Sequence, residues 1–186
     1  GAILVGLACV GLLTSLGISR MPPANPTKEL HVNFVAELYC QLKKIFPDRP
    51  LFFGILAEMF FLFVATMIQF HLVLYGKEIL ELTDTQSSYL QATVAVGIGT
   101  GCITAGFISG KKIEYGLIPL GALGMVLFCL FLSLEDLTHV WAFINVGFLG
   151  FFGGFYLVPI MAIIQQRPSS KDKGTVVATS AVMSFF

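Results

Sequence analysis

Apolar residues run along this chain in long blocks, and short polar segments separate them. About 20 mostly apolar residues are needed to cross a bilayer core as helix. On that measure span A covers about residues 1–19, span B about 51–76, span C about 89–109, span D about 115–134 and span E about 140–164. A sixth run, span F, opens near Thr175 and reaches the end of the sequence at Phe186. No alternation of period two persists, so the spans read as helices, which satisfy their own backbone hydrogen bonds in lipid.

The basic residues set the expected orientation. The A–B loop holds Arg20, Lys28, Lys43, Lys44 and Arg49, the C–D loop Lys111 and Lys112, and the E–F loop Arg167, Lys171 and Lys173. The B–C loop has only Lys77, and the D–E loop has none. Excess Lys and Arg mark the cytoplasmic side, so these alternate loops are expected there. The A–B loop opens with Pro22, Pro23 and Pro26 and continues into a helical pattern from Lys28 to Phe46. Leu30, Phe34, Leu38, Leu42 and Ile45 give that helix one apolar face, and Pro47 ends it. It fits a helix lying on the cytoplasmic membrane face equally as well as one packed on protein. The expected organisation is residues 1–19 as the last helix of one bundle, 20–50 as a linker, and 51–186 as part of a second bundle.

Composition agrees with the spans. Of 186 residues, 56% are hydrophobic and 12% charged, against about 25% charged in soluble domains. Eleven basic residues balance eleven acidic ones, which argues against a nucleic-acid partner. The four cysteines lie far apart without metal-ligand spacing, so neither a metal site nor a disulfide framework is indicated, and no cofactor is expected. No nucleophile with a base, and no second intramembrane acid, suggests a catalytic site. The opening run lacks a basic n-region and a small-residue cleavage site, so the chain is read as a piece of a larger membrane protein rather than one led by a signal peptide.

Few residues in the spans carry chemistry. Glu58 is the acid within span B, and such a residue usually faces a cavity or a partner. Gln69 lies eleven residues on, about 20° away around the helix, and Thr66 about 80° away on the same side. This stripe is a candidate substrate path; the alternative is that Glu58 is neutral or pairs with a neighbouring helix for structural reasons. Gln91 and Asn145 add polar groups in spans C and E that either meet a ligand or bond across helices. Gly97 and Gly101 in span C, and Gly150 and Gly154 in span E, form small-residue strips suited to close helix packing. Pro159 removes a backbone hydrogen bond and is expected to kink or loosen span E.

One span, a long basic linker with an amphipathic helix, then further spans with short loops is an arrangement that resembles the middle of a major facilitator superfamily transporter. Spans A to F then resemble about helices 6 to 11, giving an all-α polytopic membrane bundle. The run from Gly106 through Gly110, Lys111 and Lys112 to Gly116 resembles the superfamily's G-x-x-x-D-R-x-G-R-R gating loop, with Gly110 where the motif has Asp. Thr83-Asp84, the run from Tyr89 to Ile98, and the run from Gly150 to Pro159 and on to Gln165 are similar to the bacterial lysophospholipid transporter family. Gln69 stands where typical members carry a basic side chain. The resemblance implies a non-enzymatic, multi-pass protein of the bacterial inner membrane. It implies movement of lysophospholipid, such as lysophosphatidylethanolamine, to the cytoplasmic leaflet by alternating access. Some members are fused to an acyltransferase that reacylates the lipid. Two alternatives stay open: a proton-coupled small-molecule or drug transporter of the same superfamily, and a non-transporting anchor of a lipid-acylating enzyme.

Overall fold

A computed structural model describes residues 2–17, 34–110, 112–134, 138–169 and 172–184. These form seven α-helices: α1 (Ala2–Leu16), α2 (Phe34–Ile45), α3 (Arg49–Leu74), α4 (Asp84–Ser109), α5 (Leu117–Leu132), α6 (His139–Gln166) and α7 (Lys173–Ser184). A π-helical turn, Tyr75–Ile79, extends α3. Among the described residues there is no strand. With the π-turn, α3 is 31 residues long, α4 is 26 and α6 is 28, and these three are long and apolar enough to cross a membrane. At 16 residues, α5 spans only about 24 Å.

The chain divides into two compact units, residues 1–30 and 31–186. In the first, the described side chains of α1, such as Val10, Leu13 and Leu16, are exposed. The second unit is organised around α6. Its contacts with α4 advance in the same direction along both helices, with Val94 against Gly150 and Cys102 against Gly154. Against α3 and α5 the order reverses: Gly54 meets Ile163 where Phe61 nears Gly153, and Gly121 meets Tyr156 where Gly124 meets Phe152. Thus α4 runs parallel to α6, and α3 and α5 run antiparallel to it.

Two apolar clusters close the ends of this unit. Ile45, Leu51, Ile55, Ile160, Ile164 and Val176 join α2, α3, α6 and α7 at one end. At the other, Leu72, Leu80, Leu82, Leu90, Ala142 and Val146 join α3, the turn after it, α4 and α6. Ile45 and Gln41 are buried. This part of α2 is packed on protein; residues 28–33 of the expected helix lie outside the described residues.

Local sequence explains the boundaries. Pro50 sits in the first turn of α3, where a missing N–H costs nothing. Thr83 and Gln86 make a capping box that starts α4 at Asp84, a turn before the apolar run suggests: the Gln86 N–H donates to Thr83 Oγ1, and the Thr83 N–H to Gln86 Oε1 at 3.0 Å. Helix α6 stays continuous through the buried Pro159.

Candidate functional site

The glycines of α4 divide by what faces them. A Cβ on Gly97 would fall on the backbone carbonyl of Gly147, and one on Gly101 on the carbonyl of Phe151. From the other helix, a Cβ on Gly150 would lie 2.5 Å from the Val94 carbonyl oxygen, and one on Gly154 2.5 Å from the Cys102 nitrogen. All four sit where backbone meets backbone. Gly99 and Gly106, in the same run of sequence, have open space beside them.

The polar residues do not gather into one site. Glu58 is buried in α3, which packs on α7, where Thr179 and Ser180 are also buried. Gln69 lies about 16 Å further along α3. It borders a small apolar cavity of about 60 Å³ with Phe61, Ile68, Val94, Met125 and Leu149. The hydroxyl of Thr66 is exposed and donates to the Leu62 carbonyl at 2.8 Å, within its own helix. Gln91 is half-buried in α4. Asn145 is buried in α6, where its amide donates to the Trp141 carbonyl at 2.7 Å. That bond is spent within one helix, so it does not tie α6 to a neighbour.

A larger apolar groove of about 440 Å³ runs between α3, α5 and α6, walled by Phe60, Phe61, Val64, Met125, Val126 and Tyr156. Aromatic stacking builds one of its sides: the rings of Phe61 and Tyr156 lie 5.4 Å apart. On α5 and α6, Phe128 stacks on Phe148 at 5.0 Å and on Phe152 at 5.7 Å.

In the loop after α4, Gly110 has φ +54° and caps the helix by donating its N–H to the Gly106 carbonyl at 3.1 Å. That backbone conformation favours glycine. It gives a physical reason for Gly rather than Asp at this place in the loop. Lys112 is exposed, and Lys111 lies outside the described residues.

Spacing gave no sign of one ion pair. The Arg167 Nε–H, just past α6, is shared between the two carboxylate oxygens of Asp48, just before α3, at 2.8 and 2.9 Å. The carboxylate beside it, helped by the Tyr115 hydroxyl, pushes the guanidinium pKa further up. The two charges are 119 positions apart and meet only because α3 and α6 are antiparallel. At the opposite end, Lys77 pairs with Asp84 at 2.8 Å across the turn between α3 and α4. Among the described residues no group of His, Cys, Asp and Glu side chains is placed to hold a metal ion.

Comparison with known proteins adds to this geometry. The chain is 26% identical over 158 residues to the lysophospholipid transporter LplT of Citrobacter koseri, covering 84% of this chain and 39% of the relative. It is 32% identical over 116 residues to LplT of Cronobacter sakazakii, covering 62% and 29%. With LplT of Shigella boydii it shares 25% over 173 residues, covering 89% and 43%. The chain therefore spans less than half the length of these relatives. No solved structure matches it. The family model of the Major Facilitator Superfamily matches residues 1–186. Together with an all-α fold carrying three membrane-length apolar helices, this match assigns the chain to the Major Facilitator Superfamily.

Proposed function

We propose that the chain is part of a secondary transporter that moves lysophospholipid, such as lysophosphatidylethanolamine, across the bacterial inner membrane by alternating access. The observation that carries this reading is the similarity over most of the chain to proteins named lysophospholipid transporters. The character of the surfaces supports it: the grooves are almost wholly apolar, as an acyl chain requires, and polar groups are few. On this reading residues 1–19 end one bundle, 20–50 link it to the next, and 51–186 form most of the second. Thr66, Gln69 and Gln91 are the polar contacts for a headgroup, and the loop of Gly106, Gly110, Lys111 and Lys112 works at the cytoplasmic gate. A fused or associated acyltransferase that reacylates the delivered lipid is the expected partner.

The test is flipping of fluorescent lysophosphatidylethanolamine by the whole transporter in liposomes. The expected result is accumulation in the far leaflet, lowered several-fold by Gln69→Ala at equal protein. Proton-driven movement of soluble drugs with no effect on the lipid would replace this reading by a drug transporter. No movement of any substrate by folded protein would leave a membrane anchor.

A further inference from the structure

Helix α2 has two opposite faces. Gln41 and Ile45 are buried, and Ile45 joins the cluster of Leu51, Ile160, Ile164 and Val176. Lys43 lies about half a turn from each of them around the helix, so it points the other way. Tyr39 and Phe46 fall within about 60° of Lys43 on that outer side. The helical turn continues to Phe46, whose N–H donates to the Leu42 carbonyl at 2.9 Å. Tyr39 is 71% exposed and Phe46 68%, and Lys43 and Lys44 are exposed beside them. So much aromatic surface on one side marks a face that something covers.

Charge and depth say what covers it. Between Tyr39 and Phe53 the sequence holds three cations, Lys43, Lys44 and Arg49, and one acid, Asp48. Asp48 is held by Arg167. None of the three cations has an ionic partner among the described residues, so the patch carries an unopposed positive charge. Helix α3 fixes its level: the apolar run begins at Leu51, just after Arg49. Arg49 therefore sits where the span leaves hydrocarbon, at the depth of lipid headgroups. The aromatic side of the patch is continuous with that span. Phe46 meets Phe52 edge to face at 5.1 Å, and Phe52 meets Phe53, itself 60% exposed, at 5.8 Å. Rings reaching toward the acyl boundary with cations beside them are the makings of an interfacial helix.

We propose that the outer face of α2, together with Arg49, binds anionic phospholipid headgroups of the adjoining leaflet while the inner face packs on the bundle. Lys43, Lys44 and Arg49 meet the phosphate oxygens, and Tyr39, Phe46 and Phe53 lie against the ester and acyl groups. Each cation strengthens the preference for an anionic headgroup about fivefold. In the orientation proposed above this leaflet is the cytoplasmic one, whose surface is negative. The site is distinct from the grooves of the bundle and holds whichever substrate is carried.

An environment-sensitive fluorophore on Cys40, which is exposed beside Tyr39, reads the contact in the whole transporter with its other reactive cysteines replaced. Nanodiscs of phosphatidylcholine are compared with nanodiscs of equal parts phosphatidylcholine and phosphatidylglycerol. Both leaflets of a nanodisc are alike, so an error in the proposed orientation or substrate does not change the result. Emission should move to the blue with phosphatidylglycerol, and the shift should shrink as salt is added. When the phosphatidylglycerol fraction is titrated, Lys43→Gln should weaken the response about fivefold. The combined variant Lys43→Gln/Lys44→Gln/Arg49→Gln should abolish it, and Lys77→Gln, at the other end of α3, should leave it unchanged. All three side chains are exposed, so the combined variant should melt like wild type in phosphatidylcholine. Equally blue emission in both lipids, untouched by the substitutions, would mean that protein covers this face and would overturn the proposal. Equally red emission in both would place the face in water and overturn it too. The same shift produced by soluble glycerol phosphate in phosphatidylcholine nanodiscs would overturn the lipid site in favour of one for free phosphate.

Discussion

Two helix pairs in the same unit are joined in opposite ways. Along α4 and α6, Gly97, Gly101, Gly150 and Gly154 bring backbone against backbone, with no side chain between to rearrange. Between α3 and α7, side chains make the junction: Ile55 and Val176 share an apolar cluster, and Glu58, Thr179 and Ser180 are buried. In lipid, apolar burial does little to hold helices together, so close van der Waals contact and hydrogen bonds have to do it. A backbone seam has one low-energy arrangement and moves as a rigid body. A junction made of side chains can repack by changing rotamers. The pair built on glycine is therefore expected to be the stiffer of the two.

Substitutions can break this comparison at either side. Gly101→Ala should have the largest effect, because the new methyl meets the Phe151 backbone rather than a flexible side chain. Overpacking of this kind costs about 1–3 kcal/mol, read as lost folded yield and a lower melting temperature in detergent. Ser180→Ala should cost less, about 1 kcal/mol, the net worth of one hydrogen bond, and should leave the α4–α6 seam intact by cross-linking. Asp48→Asn should have a smaller effect that fades as salt is added, since the pair with Arg167 is partly exposed. Gly99→Ala should be neutral or stabilising by up to about 1 kcal/mol, because nothing lies beside it and alanine favours helix. A loss in Gly99→Ala as large as that in Gly101→Ala would mean that helix flexibility, rather than close approach, is what these glycines provide.

The sequence shows the helices well and their neighbours poorly. Apolar runs place α3 to α6 within a few residues, because crossing a bilayer fixes both length and composition. The start of α4 at Asp84 lies outside the apolar run and depends on the Thr83–Gln86 box, a polar signal that span-finding passes over. The π-turn at Tyr75–Ile79 leaves no mark on hydropathy. Among the glycines, Gly97, Gly99, Gly101 and Gly106 look alike in sequence, and only the position of α6 separates those in contact from those in the open. Glu58 and Gln69 share a helical face as their spacing requires, yet meet different surroundings, because α7 covers one end of that face and leaves the other. The pairing of Arg167 with Asp48 had no signal in the spacing, since the two lie 119 positions apart and are brought together by helix order alone.

The central claim, an α4–α6 pair stiffer than the α3–α7 junction, is tested most directly by distances within the working protein. Spin labels at the exposed positions Tyr89 and Val140 report on α4 and α6, and labels at Phe53 and Val177 report on α3 and α7. Distance distributions would be recorded on the whole transporter in nanodiscs, with and without lysophosphatidylethanolamine. The expected result is one narrow, unchanged distance for the Tyr89–Val140 pair throughout, and a broader distribution that shifts with lipid for the Phe53–Val177 pair. A Tyr89–Val140 distance that shifts while Phe53–Val177 stays fixed would contradict it.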